Sequence, residues 1–215
     1  MFTFMLVMAS GLTWGTETEE FQDSFKLDLT LYSLLGTSVL EIDPINQNAL
    51  FNKVPDNLGT FNIGAGFFLQ VGDHFAYGAD YLYGFYTVDG SEALQEVRVF
   101  ESPFFVQYKV LKMGLFSLAP QIGFTFGSME IQSYDLNSTI AAVATAQYFT
   151  GRIGVSLNFD IKNGLYLGVK GGYNFPFSGE ETWKYRGSEI DTIALFKPTQ
   201  FHINLLIGTR TSING

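Results

Sequence analysis

Residues 163–177, NGLYLGVKGGYNFPF, alternate with a period of two. Leu165, Leu167, Val169, Gly171, Tyr173, Phe175 and Phe177 form one row, and Tyr166, Gly168, Lys170, Gly172, Asn174 and Pro176 form the other. Successive side chains of a strand point to opposite faces, so this is a strand with one apolar and one polar face. The same alternation recurs near 25–32, 59–71, 75–87, 97–111, 115–128, 148–161 and 200–210, which makes eight strands. Their connections alternate too. Gly72-Asp73-His74, Lys112-Met113-Gly114 and Lys162-Asn163-Gly164 read as tight turns, two of them closing on the glycine that a three-residue hairpin places in a left-handed conformation. Long connections at 41–58, 88–96, 129–147 and 178–199 lie between them. Short turns at one end and long loops at the other predict an all-β fold, an eight-stranded antiparallel up-and-down β-barrel.

Periodicity does not say which face of the barrel looks outward. Glycine does. Gly36, Gly64, Gly66, Gly78, Gly84, Gly123, Gly127, Gly154, Gly168, Gly172 and Gly208 fall on the polar rows, and only Gly151 and Gly171 on the apolar ones. An eight-stranded barrel is just wide enough inside for packed side chains, so small residues belong on the concave face. The polar rows therefore face the lumen and the apolar rows face lipid, as in a transmembrane barrel. Charged residues are only 15% of the chain, against about a quarter in soluble domains, while Phe and Tyr number 22 and 11. The aromatics gather toward two levels. Phe75, Tyr77, Tyr108 and Phe116 lie near the short turns; Phe61, Tyr83, Phe85, Phe100, Phe124, Phe126, Tyr173, Phe175 and Phe177 lie near the long loops. Such girdles mark the two interfaces of a membrane barrel. A net charge of −9 repels phosphate and excludes nucleic acid as a partner, and with no cysteine there is neither a disulfide framework nor a thiolate metal site.

The apolar start MFTFMLVMASGLTWG reads as a signal peptide over residues 1–15, followed by an acidic linker at 16–23 and a barrel over 24–212. The segment RVFESPFFVQYKVLKMGLFSLAPQIGFTFGS resembles a recurring stretch of small outer-membrane β-barrels of the OmpA/OmpX type. Glu101, Pro103, Phe104 and Tyr108 fit its first strand, and Ala119-Pro120 with Gly123 fit the returning one. The resemblance implies residence in the outer membrane of a Gram-negative cell envelope, a monomeric porin-like barrel and no cofactor. Pro removes a ladder donor, so bulges or weak pairing are expected at Pro103 and Pro120.

By parity the lumen receives Lys26, Asp28, Asp80, Glu101, Lys109, Arg152, Asp160, Lys170 and Arg210, a near-balanced set of five bases and four acids. Unpaired charges in a narrow interior are expensive, which predicts paired charges that plug the bore, with Asp28 reaching Arg210 where the first and last strands meet. A narrow channel for small solutes is the alternative. Small barrels that modify lipid A use a His with a Ser near the outer leaflet. Ser178 lies near that rim without a His, while His74 sits in a short turn and His202 points inward, so an enzyme is not expected. Acids outnumber bases in the long connections, among them Glu96 and Glu130, and the last one holds Glu180, Glu181, Glu189 and Asp191. These suit divalent cations or a basic surface partner, although none has the spacing of a calcium loop. Taken together, the residues predict a structural or surface-interaction barrel held in outer-membrane lipid.

Overall fold

The computed structural model describes residues 26–41, 57–89, 94–134, 140–161, 164–177, 184–185, 188–189 and 199–213. The signal peptide and linker read at 1–15 and 16–23 lie outside these. Eight long strands carry the fold. They are β1 (Leu27–Glu41), β2 (Asn57–Val71), β3 (Phe75–Asp89), β4 (Leu94–Tyr108), β5 (Phe116–Tyr134), β6 (Ile140–Asp160), β7 (Leu165–Pro176) and β8 (Thr199–Ser212). Leu111–Met113, Lys184–Tyr185 and Ser188–Glu189 add short ladders at the rims. Each long strand pairs antiparallel with its sequence neighbour where the two adjoin, and β8 returns to β1 from Asp28↔Ser212 to Glu41↔Thr199. The eight long strands thus close into a ring.

Gly114 and Gly164 take the left-handed conformation at the ends of their turns, with φ of 59° and 77°. Gly72 takes it as well (φ 64°), but at the first position of its turn, where Gln70 closes the bend by donating to the Gly72 carbonyl at 2.9 Å. Pro103 and Pro120 each interrupt one of their two ladders. The β3–β4 ladder lapses between Ala79↔Phe104 and Leu82↔Glu101, skipping Ser102 and Pro103. On β5, Pro120 keeps its place opposite Val155 of β6. On its other side the register slips by one residue between Gln107↔Gln121 and Leu111↔Leu118. Consequently β4 ends at Tyr108, short of the expected 111.

Leu205, Ile207, Ile63, Ile153 and Ile122 are half exposed or more on the outer face, while Arg152, Lys170, Asn204 and Thr125 are buried inside. On β5 the outward apolar run from Phe116 to Phe126 is close to the ~9–11 residues that a tilted membrane strand needs. Ring pairs fringe it at both ends: Phe75–Tyr108 and Phe116–Phe159 at the short-turn rim, Phe61–Phe85, Tyr83–Phe100 and Phe126–Phe149 toward the other.

The connection expected at 129–147 is mostly strand. β5 runs on to Tyr134 and β6 starts at Ile140. In this extension the polarity of the two faces is exchanged. Leu40, Leu58, Val97, Val99, Met129, Ile131, Ala142, Ala144, Ala146 and Tyr148 turn inward and form one buried apolar cluster. Outside, Arg98 pairs with Glu96 at 2.8 Å, Gln132 donates to Glu130 at 2.6 Å, and Tyr134 donates to Gln132 at 2.6 Å. Glu96 and Glu130, read from the sequence as loop acids, therefore stand on strands. The outer end is built like a water-soluble barrel, with its own apolar core stacked on the membrane-spanning part.

Candidate functional site

The lumen of the spanning part is filled, and the filling is organised by charge. Lys170 of β7 points across the bore at Asp80 of β3. Following the sheet from β7 through β8, β1 and β2 to β3 takes four steps of an eight-strand ring, so these residues stand on opposite walls. The Lys170 ammonium lies 2.8 and 3.0 Å from the two Asp80 oxygens and 3.1 Å from the Tyr32 hydroxyl. Tyr32 in turn donates to Asp80 at 2.5 Å. Rings enclose the ammonium, with the Phe105 centroid at 4.0 Å and that of Tyr32 at 5.0 Å. Neighbouring glycines make the room: a Cβ on Gly66 would lie 2.5 Å from Asp80 Oδ1 and 2.6 Å from the Tyr32 ring, and one on Gly78 would strike the Phe105 ring at 2.5 Å.

A second cross-link stands nearer the apolar cluster. Glu101 of β4 accepts from Gln200 of β8 at 3.1 Å and from Tyr148 of β6 at 2.8 Å. β8 and β4 are again four steps apart in the ring, so the Gln200–Glu101 bond also spans the barrel. Tyr148 lies over Gly127, where any side chain would collide with its ring.

Arg152 does not find the acid partner that charge balance suggests. It is 1% exposed, and among the described residues it forms no ion pair. Its Nη2 donates to His202 Nε2 at 2.6 Å, so that nitrogen of the imidazole is the bare one, while Arg152 Nε and Nη1 are buried without a partner. Thr125, Thr150 and Asn204 also bury unpartnered polar atoms.

Near the short turns the expected Asp28–Arg210 pair is not formed. The closing register sets Arg210 opposite Thr30 and Asp28 opposite Ser212, one pleat lower. The guanidinium turns the other way, 2.6 Å from Asp160, with Nε donating to Thr30 at 3.0 Å and the rings of Phe68 and Tyr166 at 5.5 and 5.3 Å. Asp28 lies 3.8 Å from Lys26, whose side chain is 52% exposed and belongs to the rim rather than the lumen. Lys109 donates to Gln70 at 3.1 Å. The inward rows also supply what a list of charges omits: Tyr166 donating to Asn158, Gln121 donating to Gln107, and the buried cluster of Tyr32, Leu34, Phe68, Leu82, Phe105, Tyr166 and Leu206. Parity alone could have found them, since each occupies an inward position.

His74 is held in its turn, with Nδ1 3.1 Å from the Lys109 carbonyl and its ring stacked on Tyr108. Of the last-loop acids, Glu180, Glu181 and Asp191 lie outside the described residues, as does Ser178. Glu189 stands on a short strand opposite Lys184. Among the described residues no cluster of His, Asp and Glu is placed to hold a metal ion.

A closed eight-stranded barrel with an apolar belt, aromatic fringes and side chains packed across its lumen has the fold of the outer-membrane β-barrels, and solved structures share it. Ail, the attachment invasion locus protein of Yersinia pestis, is 10% identical and superimposes with a TM-score of 0.51 over 86% of this chain and 98% of its own. Neisserial surface protein A is 7% identical, with a TM-score of 0.52 over 84% of this chain and 96% of its own. OprG of Pseudomonas aeruginosa is 9% identical, with a TM-score of 0.51 over 89% of this chain and 97% of its own. No family profile and no curated protein matches the sequence.

Proposed function

We propose that this chain is a plugged, non-enzymatic barrel of the bacterial outer membrane that holds an interaction surface outside the cell. The observation that carries the reading is the pair of polar links spanning the bore, Lys170–Asp80 and Gln200–Glu101, beneath an apolar cap at the outer end. A path for hydrated solutes would have to break both links and wet the cap. What reaches the exterior is a strand extension faced with Glu96, Arg98, Glu130, Gln132 and Tyr134, and the sequence between β7 and β8 adds the acids Glu180, Glu181, Glu189 and Asp191. Its partner is then cationic, either a divalent ion or a basic surface. Ail has been solved with the heparin analogue sucrose octasulfate, a polyanion. An acid-rich surface on a chain of net charge −9 favours the opposite sign. The test is binding of the full chain in nanodiscs to immobilised polylysine and to immobilised heparin, across a salt series. Salt-sensitive retention on polylysine alone supports the proposal; retention on heparin alone overturns it.

The narrow-channel reading keeps one observation in its favour: the unpartnered atoms of Arg152, Thr125, Thr150 and Asn204 could be met by water inside the barrel.

A further inference from the structure

At the upper edge of the lipid-facing belt, polar side chains gather on neighbouring strands. Ser128 of β5 stands opposite Gln147 of β6 and, on its other side, opposite Phe100 of β4. One pleat lower, Ser102 faces Phe126, which faces Phe149. These residues and Tyr81 line a crevice of about 500 Å³ on the outer wall. Apolar and hydrogen-bonding groups thus alternate within it, at the level where the belt gives way to the Arg98–Glu96 pair. Thr37, also on this face, instead donates to the Thr60 carbonyl at 2.9 Å. The side chains of Ser102, Ser128 and Gln147 make no hydrogen bond among the described residues, although they adjoin a region poor in water, where an unmet polar group is costly.

We infer that this crevice binds one outer-leaflet amphiphile, a diacyl lipid with an uncharged sugar headgroup. Ser102, Ser128 and Gln147 donate to its ester carbonyls and hydroxyls, and its chains run down over Phe126 and Phe149. The charges above the crevice select the head. Arg98 is already committed to Glu96 at 2.8 Å and lies 3.8 Å from Glu130, so a phosphate would meet two carboxylates and a guanidinium in use. The inference rests on the membrane placement of the barrel but not on the plug or the cationic partner.

The full chain is exposed in micelles to equal amounts of monogalactosyl diacylglycerol, phosphatidylethanolamine and phosphatidylglycerol with identical chains, and retained lipid is counted by native mass spectrometry. Monogalactosyl diacylglycerol is expected to dominate. Ser128→Leu with Gln147→Leu should lower its retention about ten-fold, as the loss of two hydrogen bonds implies. Ser128→Thr should keep it, as should Ser33→Leu on a distant sector. Equal retention of the three lipids, preference for either phospholipid, or indifference to the double change overturns the inference. If the double variant does not fold, a diazirine-bearing galactolipid is crosslinked to the unaltered chain. Label concentrated on Phe100, Phe126 and Phe149 supports the site, and label spread evenly around the belt contradicts it.

Discussion

Lys170 is fully enclosed, so its charge persists only because Asp80, Tyr32 and the Phe105 ring replace water. Removing one member leaves the other unmet. Lys170→Met should therefore cost about 3–5 kcal/mol, read as a fall in the urea midpoint in micelles, and Asp80→Asn in the same chain should restore most of it. An unchanged midpoint in the single variant contradicts the brace. Arg210 tests the closing register. Its partner is Asp160 at 2.6 Å, with side chains 17% and 31% exposed, so the coupling is modest, about 1 kcal/mol or less. A double-mutant cycle should show coupling between Arg210→Gln and Asp160→Asn and none between Arg210→Gln and Asp28→Asn. The reverse result would restore the pairing that strand adjacency alone suggested. Adjacency names which strands meet; the register decides which pleats do, and it drops Asp28 beside Ser212.

The extended β5–β6 hairpin is the element whose sequence misleads. Its period of two continues past Phe126, but the apolar row moves from the even, outward positions to the odd, inward ones: Met129 and Ile131 keep the inward parity of Thr125, while Glu130 and Gln132 take the outward parity of Phe126. A search for a lipid-facing row stops at Phe126 on one strand and Phe149 on the other, and the remainder reads as loop. The strands continue because an inner apolar core remains to be buried even where the outer face meets water. Ile131→Ala, deep in that core, should cost about 2–5 kcal/mol in the same unfolding assay. Glu130→Ala, on the wet face, should cost about 1 kcal/mol or less. Equal effects would mean the cap is not a packed core. The spanning parts of the strands were legible, because lipid imposes a strict alternation and inward glycines name the concave side. The candidate site was legible only as a set of inward charges. Which pairs form across the bore depends on reach and on rings such as Tyr32 and Phe105, and those contacts are not periodic.

At the scale of the molecule, closure turns a sheet into a tube, and side chains meet inside it at three levels: the Arg210–Asp160 contact at the short-turn rim, the two cross-bore links in the middle, and the apolar cap above. Eight strands leave a bore that side chains can fill, and this sequence fills it with rings where its glycines leave space. In the spanning part the same architecture sends the apolar rows outward, toward lipid, while in the extension the apolar row turns inward and the polar one faces out. The most direct test is unitary conductance in a planar bilayer, with the unaltered chain and a Lys170→Met variant side by side. The unaltered barrel should give no stable current at moderate voltage, and the variant should not open it while Gln200–Glu101 and the apolar cap remain. Reproducible unitary steps from the unaltered chain, shifted in size by neutralising Lys170 or Arg152, would show an open lumen and contradict the plug.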